Sequence, residues 1–264
     1  METTIGTVAG NGFEMDYAVF GSGEGRLAII PGLSVSPAIP TAGSVAAAYK
    51  CFRNDYTVYL FDRKKDIRED YSVFRMADDT AEAMRLLGID SIDIFGASQG
   101  GMIGLSIAAH HPELVRRLAL ASTQPGPNGY GTGTLHTWMR LAAKDDPAEL
   151  NRDIFSKVYS PAFQERYARA LKVFEKNGTR QELDRFMILA RAAGDFDIRG
   201  ELGKIKCPVF LAGMEDDTVL SSKGIMELSE AFGVEPLIYP GKGHACYDED
   251  RSFPEKLHAF FTGE

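Results

Sequence analysis

In the segment Ile94-Phe95-Gly96-Ala97-Ser98-Gln99-Gly100-Gly101, one serine stands between glycines two residues away on each side. An apolar run with the character of a buried strand leads into it. A helical pattern from about Gln99 to His111 leads out and is stopped by Pro112. A serine on so tight a strand-to-helix turn takes strained backbone angles. Side chains two residues either side would collide, which accounts for glycine at 96 and 100. The turn lifts the hydroxyl above the strand ends, and the helix start offers free N–H groups to a developing oxyanion. Ser98 is therefore the candidate nucleophile.

A serine hydroxyl needs a base, most often histidine. Of the five histidines, His110 and His111 close the helix after Ser98, at the wrong end. His258 falls in the last helix and His136 in an inserted segment. His244 follows the last apolar strand in Pro240-Gly241-Lys242-Gly243-His244, on the rim where Ser98 sits. It is the candidate base. The acid that orients it should follow another strand on that rim. Val209 to Asp217 ends in three carboxylates, Glu215, Asp216 and Asp217. Spacing alone does not separate Asp216 from Asp217, with Glu215 behind them.

These residues need a scaffold that brings strand ends together. Two strands, Thr3 to Ala9 and Phe13 to Phe20, are expected around an Asn11-Gly12 turn. Apolar runs follow at Leu27 to Ile30, Thr57 to Phe61, Ile92 to Phe95 and Leu118 to Leu120. Ser72 can cap a helix whose Met76, Thr80, Ala83, Met84 and Leu87 share a face. Alternating strands and helices predict a doubly wound, mostly parallel α/β sheet. The rhythm breaks after Thr123 and resumes at Pro208. The intervening stretch has helical faces, Phe163, Tyr167, Leu171 and Phe174, then Leu183, Phe186, Met187 and Ala190. It reads as a helical lid inserted after the sixth strand. The expected division is a core of residues 1–123 and 208–264, with 124–207 as lid and return connection.

Strand, G-x-S-x-G, helix, then acid and histidine in that chain order resembles the α/β-hydrolase fold across essentially the whole chain. Asp78 to Ile89 looks like that family's helix before the elbow, and Gly96 through Val115 like its elbow and following helix. The resemblance implies an acid three residues beyond Gly213, hence Asp216, and likewise His244 as base. It also implies an oxyanion hole formed by the backbone N–H groups of Gln99 and Leu33. Two departures stand out: Pro31-Gly32-Leu33 has proline where the family has histidine, and Phe61-Asp62-Arg63-Lys64-Lys65 lacks the glycines usual after its D-x-R.

Net charge is −8, which opposes phosphate backbones and excludes nucleic acid as an expected partner. No apolar run approaches the length of a membrane span. Cys51, Cys207 and Cys246 are scattered, which suits a reducing compartment; with no leader pattern at the start, a cytoplasmic location is expected. No His/Cys cluster suggests a metal, and no cofactor is expected. The partner is a small molecule. Trp138, Met139, Phe163 and Phe186 are the candidate pocket residues. Arg140, Arg185 and Arg191 are more simply surface charges. By resemblance to small esterases and enol-lactonases, the expected reaction is cleavage of a small carboxylic ester or lactone through an acyl-enzyme. Carbon–carbon bond hydrolysis is the alternative, or a lyase, acyltransferase or receptor on the same scaffold.

Overall fold

The first hairpin follows from alternation. Strands β1 (Thr4–Gly10) and β2 (Phe13–Phe20) pair antiparallel, Thr4 opposite Val19 and Gly10 opposite Phe13. The computed structural model describes residues 2–10 and 12–263, so Asn11 of the expected turn lies outside the described residues. Gly12 takes φ +89°, a conformation in which a Cβ would be strained.

From there strand and helix alternate: β3 (Gly25–Ile30), α1 (Ala42–Ala48), β4 (Tyr56–Lys64), α2 (Val73–Leu86), β5 (Ile92–Ala97), α3 (Gln99–His110) and β6 (Val115–Ala121). The Ser72 cap forms, its side chain accepting from the Arg75 N–H, and the predicted face of α2 is buried except for Leu87, which is half-buried. After β6 come α4 (Gly129–Ala142), α5 (Pro147–Val158), α6 (Pro161–Phe174) and α7 (Arg180–Gly194). The sheet resumes with β7 (Val209–Met214), α8 (Lys223–Phe232) and β8 (Leu237–Tyr239). A short α9 (Cys246–Glu249) and α10 (Phe253–Thr262) close the chain.

Among the described residues the strands form one sheet in the order β1-β2-β4-β3-β5-β6-β7-β8, parallel from β4 to β8. Crossover helices cover both faces. One core lies under α2, α3 and α8, the other under α1 and α10. Strand β5 is buried throughout and runs between β3 and β6, so Ser98 emerges at the middle of the sheet's carboxyl edge. This is where open α/β sheets carry their sites.

The segment between β6 and β7 is helical, with each helix capped from the sequence. Asn128, Asp146, Ser160 and Thr179 accept N–H groups of the first turns, and Thr179 forms a reciprocal capping box with Glu182. Helix α7 buries Leu183, Phe186 and Ala190 against α4 and the core, as its periodicity predicts. The face predicted for α6 is covered only in part: Phe163, Tyr167 and Leu171 are half-buried, no residue of the helix is fully buried, and Phe174 is 50% exposed.

Candidate functional site

The elbow owes its shape to steric necessity. Ser98 sits at φ 52°, ψ −121°, a region a non-glycine residue occupies only at a cost of about 1–3 kcal/mol. Surrounding contacts impose it. The Ser98 N–H donates to the Ala121 carbonyl at 2.8 Å, and the Thr123 hydroxyl donates to the Ser98 carbonyl at 2.8 Å. A Cβ on Gly100 would lie 1.9 Å from the Ile30 carbonyl oxygen, and one on Gly96 would lie 2.4 Å from that of Gly100. Glycine is thus required at 100 for the elbow to nest against the end of β3, and at 96 for the strand to fold back onto the start of α3.

His244 lies in the loop after β8 and is 3% exposed. Its Nδ1–H donates to Asp217, 3.0 Å from Oδ1 and 2.9 Å from Oδ2. A carboxylate only accepts, so the proton is on Nδ1 and the Nε2 lone pair is left to act as base. Nε2 is buried and has no partner among the described residues. The imidazole and the Ser98 side chain line one cavity.

The aspartate is Asp217, not Asp216. Asp216 and Glu215 are exposed, whereas Asp217 is 7% exposed and points inward. Counting from Gly213 falls one residue short because β7 continues through Met214, which pairs with Tyr239, and the Glu215 N–H still donates to the Tyr239 carbonyl. The chain turns only after that. Asp217 also closes the turn, with Oδ1 accepting from the N–H groups of Val219 (2.7 Å) and Leu220 (3.0 Å). Burial pushes its carboxyl up. The neighbouring His244 and these N–H donors outweigh that and hold it below the ordinary aspartate value.

Three contacts that the sequence did not flag fix the backbone around His244. Ser122, at φ 52° past the end of β6, donates its hydroxyl to the His244 carbonyl at 2.6 Å. The Glu249 carboxylate accepts from the Gly243 N–H (2.9 Å) and from the Ser160 N–H (2.7 Å) and hydroxyl (2.6 Å), binding the histidine loop to the start of α6. The Ala245 N–H donates to the Val158 carbonyl at the end of α5. No motif marks such partners, because each is chosen by chain segments far apart in sequence.

The backbone N–H groups of Gln99, at the start of α3, and Leu33, past β3, donate to no backbone carbonyl among the described residues, and both residues line the cavity. A Cβ on Gly32 would lie 3.2 Å from Ser98 Cβ, so the Leu33 loop runs directly beside the serine. The arrangement can therefore present a hydroxyl, a base and two backbone donors to one carbonyl group.

The cavity, of about 60 Å³, is otherwise apolar, with Met102, Leu135, Trp138, Ile154, Val158 and Leu220 among its walls. Of the four residues expected there, only Trp138 lines it, its indole N–H donating to Asp153 at 2.8 Å. Phe186 is fully buried in the core, and Met139 packs against that core. Phe163 stacks on Tyr159, ring centres 4.5 Å apart, and meets the tilted ring of Tyr167 at 4.4 Å. The expectation took whole aromatic stripes as lining, but α4 turns Leu135 and Trp138, three residues apart, to the cavity. Arg185 donates to the carbonyls of Arg63, Lys64 and Lys65. Among the described residues, no group of three or more His, Cys, Asp or Glu could hold a metal ion, and no helix is long and apolar enough to cross a membrane.

Comparison with known proteins bears on the scaffold. A family model described as the alpha/beta hydrolase fold matches residues 29–250. Two relatives are provisionally named carbamate hydrolase RutD. One, from Rhizobium rhizogenes, is 22% identical over 73% of this chain and 76% of its own length. The other, from Escherichia coli O26:H11, is 25% identical over 78% and 79%. Among solved structures, the α/β hydrolase MGS-M2 from a Medee basin deep-sea metagenome library superposes with a TM-score of 0.85 at 20% identity, over 98% of each chain. The enol-lactonase from Burkholderia xenovorans LB400 gives 0.84 at 19%, over 98% of this chain and all of its own.

Proposed function

The chain belongs to the α/β-hydrolase fold family, and from that premise we propose that it is a serine hydrolase cleaving a small carboxylic ester or lactone through an acyl-enzyme. The observation that carries the reading is His244, held by Asp217 through Nδ1 and sharing a cavity with Ser98 on its strained elbow. His244 Nε2 takes the Ser98 proton as Oγ attacks the carbonyl carbon. Asp217 holds the ring and stabilises the imidazolium. The Leu33 and Gln99 N–H groups receive the oxyanion, each such donor being worth about 10²–10³ in kcat. The imidazolium then protonates the leaving oxygen, and water, deprotonated by the same nitrogen, releases the acid.

The size of the cavity favours a short acyl group, since about 60 Å³ is room for a few water-sized groups. Helices α4, α5 and α7 each supply walls, which supports residues 124–207 acting as a lid. A second reading, carbamate cleavage, is favoured by the RutD relatives. It begins with the same attack and differs in the intermediate, a carbamoyl ester of Ser98 in place of a carboxylic ester.

The test is labelling with a fluorophosphonate, followed by turnover of p-nitrophenyl esters of rising chain length, simple lactones and phenyl carbamates. We expect labelling at Ser98 and fastest turnover of short esters or lactones. Ser98→Ala should lose both, on the order of 10⁶ in kcat as in comparable triads. A folded Ser98→Ala protein with wild-type turnover would overturn the assignment. A carbamate outpacing its matched ester would transfer it to the second reading.

A further inference from the structure

Residue 31 is a proline, which has no side-chain donor or acceptor with which to steady the loop that carries Leu33. Yet that loop is held at both ends by two adjacent residues at the end of β4. Arg63 Nη2 donates to the Pro31 carbonyl at 2.6 Å, and Asp62 Oδ2 accepts from the Ala38 N–H at 2.8 Å. The same Nη2 donates to Gln99 Oε1 at 3.3 Å, and Gln99 Nε2 donates to the Leu189 carbonyl of α7 at 2.7 Å. One guanidinium nitrogen thus joins the loop before Leu33 to the residue after Ser98, and through it to a helix covering the site.

Resting on the serine-hydrolase reading, we propose that Arg63 is the positioning residue of the oxyanion hole, setting the Leu33 and Gln99 N–H groups relative to each other. Burial makes an incidental role for this arginine hard to sustain. It is 5% exposed, and its Nε has no acceptor among the described residues. An arginine is rarely buried unless its charge is fully paired. Burial lowers its pKa to about 10, so it stays protonated at neutral pH and its N–H groups remain charge-assisted donors. Ligand binding is the other duty a buried arginine could have. The hollow beside Arg63 holds only about 10 Å³, room for one water at most, and the facing Arg185 is committed to backbone carbonyls. Geometry points from Arg63 to the loop. A lysine could supply charge there, but not the planar, directional donors that grip two acceptors.

Arg63→Met should leave the fold and the KM for a short ester nearly unchanged and lower kcat on the order of 10²-fold, the effect of a misaligned oxyanion donor. Affinity for an alkyl boronic acid, whose adduct with Ser98 is tetrahedral, should fall in parallel, while affinity for the product acid should not. Arg63→Lys should recover part of kcat. A loss confined to KM, or unchanged boronic-acid affinity in a folded Arg63→Met protein, would overturn the proposal. Should Arg63→Met fail to fold, Gln99→Met removes one arm of the brace and keeps the backbone donor; wild-type kcat and boronic-acid affinity there would overturn it equally. If the wild-type protein neither labels with fluorophosphonate nor hydrolyses esters, it is the serine-hydrolase reading that has failed.

Discussion

The two halves of the candidate site are built by different means. The elbow around Ser98 is specified by residue types with no substitute: glycine where a Cβ would meet backbone at 1.9 or 2.4 Å, and a wholly apolar strand leading in. The His244 loop holds one such residue, Gly243, whose Cβ would lie 2.4 Å from the Val158 carbonyl oxygen, and the Asp217 loop holds none. Their shape comes from partners recruited across the molecule: Ser122 past β6, Val158 at the end of α5, and Ser160 and Gly243 meeting on Glu249. Apart from Gly243, a site half of this kind depends on distant contacts more than on local residue types, whereas the elbow depends on its own glycines as well as on its ties to Ala121 and Thr123.

The sharpest way to break that comparison is at the adjacent aspartates. Asp217→Asn should cost on the order of 10⁴ in kcat, because the amide can present its NH₂ to Nδ1 and select the wrong tautomer. Asp216→Asn, at an exposed residue with no hydrogen bond to the imidazole among the described residues, should change kcat little. Parallel kcat measurements decide it; a crippled Asp216 variant would mean that the loop rearranges when substrate binds. Stability gives a second handle. The folded-state carboxyl of Asp217 lies below its unfolded value, so its contribution is present above about pH 4 and is lost as pH falls through the folded value. The melting-temperature gap between wild type and Asp217→Asn should therefore narrow in acid.

That pair also marks where sequence reading stops. The mostly parallel sheet, the tight turn at Ser98 and the place of His244 on the same rim were legible because hydrophobic period, glycine sterics and position on the strand rim are local signals. The aspartate bonded to His244 was legible only to within one residue. Whether β7 ends at Gly213 or Met214 depends on its pairing with β8, a contact no local pattern encodes. The pocket was less legible still. Aromatic residues on the inserted helices look alike in sequence, and only packing of α7 on α4 decides that Phe186 is core and Trp138 wall. Arg63 was visible only as part of a departure from the family pattern, with no sign that it reaches Pro31.

A smaller effect is expected at Glu249, which tests whether the histidine loop depends on a remote tie. Glu249→Met keeps the bulk but removes the acceptors of the Gly243 N–H and of the Ser160 N–H and hydroxyl. The loop should shift by a fraction of an ångström, costing on the order of 10-fold in kcat. Fluorophosphonate labelling should slow in proportion, because in the proposed mechanism His244 activates Ser98 in both reactions. Unchanged kcat with a lowered melting temperature would show that the tie serves stability alone and that the His244 loop is as self-sufficient as the elbow.

The mildest test separates wall from surface within the inserted helices. Trp138 is 4% exposed and lines the cavity, so Trp138→Ala should enlarge it and move the preferred acyl chain upward by one or more carbons. Each methylene newly accommodated is worth about 1–3 kcal/mol of discrimination in an apolar pocket, so the ratio of kcat/KM between neighbouring chain lengths should change about tenfold or more. The substitution also leaves Asp153 without its indole donor. That carboxylate still has Lys157 as an ion-pair partner, so the fold should survive. Phe163 faces Tyr159 and Tyr167 outside the cavity, and Phe163→Ala should leave the same ratio near wild type. A chain-length profile that moves with Phe163 and not with Trp138 would mean that α6 folds over Ser98 during turnover. The half-covered face of that helix would then be part of the pocket in the working enzyme.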